Sequence, residues 1–448
     1  GQYVEMVNRA RVFSGLGPAY TDEEVELYKQ GAPGYEGTNW YDETFANQAF
    51  QQQHNFSARG GSEKVSFFTS IGYVEDNGLL KSNDLGYKKY TFRSNLTAQL
   101  TKNLKADIQI SGRYDKKEQP AESIFMIFKA TRTGDPTTTP YANNNPDYPS
   151  LLMPSNQNPV AMANSDISGY NENVNKNFQS TLALTYTVPG VEGLVLSGRY
   201  SYDSNNYMGK RLGKAYKLYD YDADTELYTG YEQFAPTRIS NNWSDYNLLN
   251  YQTQISYDRS FKEAHNVSAT VVYEQQRTWV RDAWLQREYD FYTNDQIDQG
   301  SLNNQQTSGN ERETGSRSII GRFNYDYKGK YLVEYAFRYD GSYRYHPDYR
   351  WGFFPVVTAG WRVSEENFFK NNIAFITNLK LRGSWGIVGQ DAGDPFQYVE
   401  GFTTSGGGGY EFEDGVYQTG ASAPGIVNPA LTWFESTITD IGIDLGMF

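Results

Sequence analysis

The chain has 448 residues, 38 of them Tyr, 42 Gly and 16 Pro, with no Cys and a formal net charge of -13. That acidic balance argues against a nucleic-acid partner, which would call for a clustered excess of Lys and Arg, and the lack of Cys removes thiol nucleophiles, thiolate metal sites and disulfides. The longest apolar run, residues 124–128, falls far short of the roughly twenty residues that a membrane-crossing helix needs.

In chain order, residues 2–13 carry a helical pattern, and Thr21 with Glu24 forms a capping box ahead of a second helix over 25–30. Period-two alternation then predicts strands over 53–59 and 65–74 around a Gly60-Gly61-Ser62 turn. A hairpin over 92–115 follows, with Phe92, Leu96, Leu104, Ile108 and Ile110 on one face and Arg93, Gln99, Lys105, Asp107 and Arg113 on the other. Residues 121–131 read as a third helix, in a long connection. Further hairpins are expected over 178–202, 251–273 and 319–340, the last turning at Lys328-Gly329-Lys330 with Phe323, Val333 and Phe337 opposed in parity to Arg322, Glu334 and Arg338. Strands over 353–363, 379–388 and 437–447 bring the count to thirteen.

Short turns alternate with long polar connections at 1–49, 118–175, 203–250, 278–316 and 390–433. A compact soluble domain rarely tolerates so many long loops, whereas a barrel in an outer membrane has short turns at one rim and long loops at the other. The apolar face is rich in Tyr and Phe clustered near strand ends, as an aromatic girdle requires. The opposite face carries charge and lines water; Arg93, Arg113, Arg322 and Arg338 are its candidate lumen-facing residues. A β-helix or propeller would show a fixed repeat of 20 to 50 residues, and none is present.

Catalytic chemistry finds little support. His54, His265 and His346 are scattered without an HExxH pair, so neither a catalytic residue nor a metal site is expected. Asp220, Asp222 and Asp224 open like a calcium loop but lack its later Gly and Glu, and residues 218–228 read instead as a surface hairpin. The glycine run 406–409 lacks the Lys-Ser/Thr of a phosphate loop. More informative are the aromatic residues of the long connections: Trp243, Tyr246, Trp279, Trp284 and Tyr292, flanked by Asn, Asp and Arg, are candidates for holding a carbohydrate or peptide. Packing of the loops against one another is the competing explanation.

Several stretches resemble the SusC/RagA-like TonB-dependent outer-membrane transporters. They include His54-Asn55-Phe56-Ser57 with Gly60-Gly61-Ser62-Glu63-Lys64-Val65, Ser70-Ile71-Gly72-Tyr73, and Tyr90-Thr91-Phe92-Arg93-Ser94-Asn95-Leu96. Later blocks are Asp340-Gly341-Ser342, Arg350-Trp351-Gly352-Phe353-Phe354-Pro355, Leu379-Lys380-Leu381-Arg382-Gly383-Ser384-Trp385-Gly386 and Asn428-Pro429-Ala430-Leu431-Thr432-Trp433. The resemblance implies a 22-stranded barrel closed by an N-terminal plug, loaded by a SusD-like surface lipoprotein and powered by the TonB complex acting through the plug. The plug and the last strands are expected to lie outside these residues.

The expectation is an all-β chain forming part of a 22-stranded antiparallel transmembrane β-barrel, with long extracellular loops and short periplasmic turns. Residues 1–50 would be an extracellular loop with short helices, and 51–448 a barrel section of about thirteen strands. The expected function is import of an oligosaccharide or oligopeptide across the outer membrane of a Gram-negative cell, without cofactor or enzymatic activity. A structural or adhesive barrel, or an outer-membrane hydrolase, is the alternative.

Overall fold

A computed structural model describes residues 1–152, 157–373, 375–402, 409–422 and 425–447. Of the glycine run 406–409, all but Gly409 lie outside these. Three helices come first, α1 (Gln2–Phe13), α2 (Asp22–Gln30) and α3 (Trp40–Thr44). The Thr21 hydroxyl accepts from the Glu24 amide and the Glu24 carboxylate accepts from the Thr21 amide, the reciprocal bonds of a capping box.

Thirteen strands then pair antiparallel in one open sheet. They are β1 (Gln51–Gly61), β2 (Val65–Asn77), β3 (Gly86–Gln99), β4 (Leu104–Pro120), β5 (Gly169–Thr187), β6 (Leu194–Gly213), β9 (Arg238–Phe261), β10 (His265–Glu288), β11 (Gln306–Tyr327), β12 (Tyr331–Ser342), β13 (Trp351–Arg362), β14 (Ile376–Gln390) and β17 (Phe434–Met447). Two small hairpins stand apart, β7 (Tyr216–Asp222) with β8 (Leu227–Gln233), and β15 (Gly409–Glu413) with β16 (Val416–Thr419). The remaining helices are α4 (Ile124–Thr133), α5 (Pro159–Ala163), α6 (Ser165–Ser168) and α7 (Asn367–Lys370). No helix among the described residues is long and apolar enough to cross a membrane.

The tight turns that join neighbouring strands of the thirteen-stranded sheet all fall at one rim. Residues 62–64 are closed by the Ser62 hydroxyl, which accepts from the Lys64 and Val65 amides. The turn after β11 needs left-handed backbone at Lys328 (φ 51°) and Gly329 (φ 65°), a conformation that suits a hairpin and that glycine adopts at no steric cost. The Asp326 carboxylate caps it by accepting from the Gly329 amide at 2.6 Å. The other rim carries the connections 78–85, 121–168, 214–237, 289–305, 343–350 and 391–433.

The strands are longer and the long connections shorter than the sequence pattern suggests. β9 and β10 run for 24 residues each, while a tilted strand crosses a bilayer in roughly 9–11. Residues 203–213, 238–250 and 278–288, expected as loop, continue the ladder. Their alternation is lost because beyond a bilayer neither face has to be apolar.

What packs as a conventional core sits at the rim of long connections. Phe45, Leu80, Ile127, Ala130, Met162 and Ala163 are buried together, fastening α3, α4 and α5 to one another and to the connection 78–85. A second cluster joins Leu212, Ile239 and Tyr289.

Candidate functional site: a two-faced wall and its rim

Cross-strand register carries one parity across the whole sheet, because opposed residues share a face. Leu96 pairs with Ile108 and Ile108 with Leu182. Leu196 pairs with Ile255, Ile255 with Val271, and Phe323 with Tyr335. These residues form a continuous apolar belt, and their side chains are substantially exposed. An aromatic row bounds the belt on each side. Towards the long connections Tyr73, Tyr90 and Tyr114 follow one another at 5.0 and 6.1 Å between ring centroids, and Tyr339 stacks on Trp351 at 4.8 Å. Near the tight turns stand Tyr325, Tyr327, Tyr331 and Trp361, with the Tyr325 hydroxyl 2.8 Å from His265 Nδ1. From Tyr331 to Tyr339 on β12 the rows are roughly 20 Å apart at the usual rise and tilt.

Two residues beyond the upper row the same face becomes ionic. Lys88 pairs with Glu75 at 3.4 Å, and Lys116 with Glu118 and Glu172 at 2.7 Å each. Farther round, Arg277 forms a bidentate pair with Glu313 at 2.6 and 2.9 Å.

The opposite face is mostly polar. Arg93, Arg113, Arg322 and Arg338 all have the parity opposed to the belt. Arg113 Nε lies 2.8 Å from Asp115, Arg322 Nη2 donates to Glu334 at 2.7 Å, and Arg338 grips both oxygens of Asp340 at 2.9 and 3.1 Å. Arg93 instead opens into a polar groove of about 350 Å³ with Asn95, Gln109, Gln179 and Asp203. The side-chain oxygens of Asn95, Asn205 and Asn250 are buried on this face without a protein partner among the described residues. Such groups are costly unless water or another polar surface meets them, so this face is built to contact water or protein.

The five aromatic candidates are not gathered in the loops. Trp243 and Tyr246 lie on β9, and Trp279 and Trp284 on β10. Register splits them: Trp243 and Trp279 share the parity of the belt, while Tyr246 and Trp284 are on the polar face. Only Tyr292 is in a connection, where it packs edge-on to Tyr289 and beneath Lys214 Nζ. Trp279 is already engaged, with Tyr202 at 6.4 Å between centroids and the Arg277 guanidinium over its ring. Trp243 borders a cleft of about 720 Å³ that opens on the belt side and whose Lys176 end is cross-strand partner to Tyr114 of the upper aromatic row.

A tyrosine cluster at the rim had no sequence signal. Tyr148 stacks on Tyr228 at 4.0 Å and meets Tyr219 edge-on at 4.9 Å. The hairpin β7–β8 is held there by backbone bonds from Leu151 to Tyr219 and from Tyr219 to Pro149. Only these pairings, between residues far apart in the chain, assemble it. The acidic run is structural: the Asp222 carboxylate accepts from the Asp224 and Thr225 amides and turns the hairpin. Among the described residues no cluster of His, Asp and Glu could hold a metal ion.

The connection 289–305 is pinned over the ends of β5 and β6. The Lys210 ammonium bonds Asp295 at 2.8 Å and the Tyr170 hydroxyl donates to the same carboxylate. The Lys210 bond, then the Tyr170 bond, hold Asp295 below the ordinary carboxylate range. Burial pushes the Tyr289 hydroxyl up to about 12, so it stays a donor to the Gln296 carbonyl.

No family model matches the chain. It is 28% identical to TonB-dependent receptor P26 of Formosa agariphila, over 96% of this chain and 42% of that protein. It is also 28% identical to TonB-dependent receptor SusC of Bacteroides thetaiotaomicron, over 92% of this chain and 41% of that protein. Among solved structures, the RagAB peptide importer in its "open-open" state superposes with a TM-score of 0.71 at 17% identity, covering 99% of this chain and 49% of that one. The fold is that of about half of the RagAB importer chain. Over nearly its whole length the chain is related to receptors of the SusC kind, as its motifs indicate, and these relatives are receptors rather than enzymes. It spans less than half the length of the curated relatives it matches.

Proposed function

We propose that this chain forms part of the wall and outer mouth of a TonB-dependent importer in a Gram-negative outer membrane, taking up an oligosaccharide or oligopeptide with a SusD-like surface lipoprotein. The observation that carries the reading is the two-faced wall. An apolar belt between aromatic rows fits a bilayer, and a charged opposite face with unpartnered amide oxygens fits a polar lumen or a plug. Among the described residues the outer edges of β1 and β17 have no partner, which favours a larger closed barrel, since open edges are not tolerated in lipid. Residues 1–50 and the other long connections would then be extracellular, and the tight turns periplasmic. Similarity to TonB-dependent receptors, SusC among them, supports import, and the structural likeness to the RagAB peptide importer favours peptide.

Tyr246 and Trp284, on the lumen parity, and Tyr292 at the rim remain the candidates for cargo; Arg93, Arg113, Arg322 and Arg338 line its way. A deletion strain complemented with the wild-type gene or with Tyr246→Ala/Trp284→Ala, grown on a panel of glycans and peptides, tests this. Loss of growth on one class in the deletion strain, with slower growth in the double variant, is expected. Unchanged growth of the deletion strain on every substrate would overturn import. A double variant indistinguishable from wild type would remove these aromatics from the cargo path.

A further inference from the structure

The cleft beside Trp243 lies on the wrong face for cargo. Val174, Met208, Trp243, Ala283 and Gly309 are successive cross-strand partners on β5, β6, β9, β10 and β11. The two smallest of them, Ala283 beside Trp243 and Gly309 one strand farther on, leave space on that side of the ring. The row below runs Lys176, Asn206, Asp245, Arg281 and Glu311, again partner to partner. The cleft therefore has an apolar upper wall with one exposed tryptophan and a lower wall of alternating charge and amide. Among the described residues no aromatic ring stacks on Trp243.

Its height selects the occupant. Leu249 lies level with Tyr202 at the top of the belt, and Trp243 is about six residues farther along β9, roughly 15 Å above that boundary. Phospholipid head groups extend only about 5–8 Å beyond the hydrocarbon, so they reach the Lys176 end, which is partner to Tyr114 of the upper row, but end below Trp243. A lipid carrying several sugars reaches it. The five strands are the fifth to ninth of the thirteen, so the cleft is remote from both sheet edges.

We propose that this cleft holds the saccharide head group of an outer-leaflet glycolipid. A sugar ring stacks on Trp243, and its hydroxyl and acidic groups are met by Asp245, Asn206, Arg281 and Lys176, while its acyl chains lie along the belt below. The assignment rests on reading the belt as lipid-facing. It deepens that reading by naming a lipid class that the wall selects.

The test uses the native gene product extracted from outer membranes, with Trp243→Ala, which removes the platform, and Ala283→Phe, which fills the space. Proteins are reconstituted in phosphatidylethanolamine nanodiscs containing a lipid A–inner core glycolipid, and bound lipids are counted by native mass spectrometry. Folding is checked by heat-modifiable mobility. The expected result is a loss of about tenfold in bound glycolipid relative to phospholipid in both variants. Retention equal to wild type in the folded variants would overturn the proposal. So would equally tight, Trp243-dependent binding of the delipidated core oligosaccharide, which would make this a site for free sugar. A shift from dimer to monomer with glycolipid unchanged would overturn it in favour of contact between two copies. If wild-type protein retains neither lipid, the lipid-facing reading itself fails, an outcome distinct from loss of glycolipid alone.

Discussion

The two halves of β9 and β10 belong to the same ladder but obey different chemistry. In residues 251–261 and 265–275, Ile255, Tyr257, Val267 and Val271 share one face, while Gln254, Ser256, Ser268 and Thr270 share the other. In residues 238–250 and 276–288 the belt parity carries Asp245, Asn247, Arg277 and Arg281 beside Trp243 and Trp279. Backbone pairing is unbroken through both. What differs is the surroundings: alternation is required where one side meets hydrocarbon, and lapses where both sides meet water. A strand's sequence signature here reports its solvent more than its conformation.

The comparison breaks most directly at mid-belt. Phe323 stacks on Tyr335 near the middle of the lower half. Phe323→Arg should cost about 2–4 kcal/mol of stability in a bilayer, whereas Glu311→Arg, on the same strand and face but above the belt, should fall within about 0.5 kcal/mol of wild type. Urea unfolding in lipid vesicles measures both. Similar costs at the two positions would remove the distinction between the halves.

A packing test comes next. Gly321 opposes Phe337, and a Cβ on Gly321 would overlap the Phe337 ring. Gly321→Val should cost about 1–3 kcal/mol by overpacking. Adding Phe337→Ala should recover part of that cost, because the ring and the new methyl groups compete for one space. Additive losses in the double variant would show that the ring swings away freely.

This difference also explains what could be read from sequence. The thirteen-stranded sheet, its tight turns and the helices α1, α2 and α4 were legible because lipid-facing alternation and capping chemistry are local signals. The upper parts of β6, β9 and β10 were not. A stretch such as Ser240-Asn241-Asn242-Trp243-Ser244-Asp245 has turn-like composition, and only its neighbours hold it extended. The error carried into the site. Trp243 and Tyr246 are three positions apart, so they face opposite ways on a strand, a split that is invisible once the segment is taken as loop. The cluster of Tyr148, Tyr219 and Tyr228 was illegible for another reason, since long-range bridges create it. Conversely, the parity of Arg322 and Arg338, opposed to the belt, could be read because their neighbours Phe323 and Phe337 lie in the belt.

The smallest expected effect concerns the aqueous half alone. Asp295 ties the connection 289–305 to the ends of β5 and β6 through Lys210 and Tyr170. Its carboxyl is held below the ordinary range by those two bonds, so the folded state binds its proton more weakly than the unfolded chain does. The resulting stabilisation is fully present above the unfolded value near pH 4 and is lost as pH falls through the lower folded value. Because both partners are partly exposed, the contribution is at most about 1 kcal/mol and is screened by salt. Asp295→Asn should therefore raise amide exchange in 289–305 modestly at neutral pH and leave the lower strands protected as before. In wild type the same segment should loosen only in acid, below about pH 4. Exchange rates unchanged by the substitution would mean that the connection is held by Tyr289, whose hydroxyl bonds the Gln296 carbonyl and whose ring packs with Leu212 and Ile239. The latch would then be apolar packing carried above the membrane, and the ionic contact would be incidental.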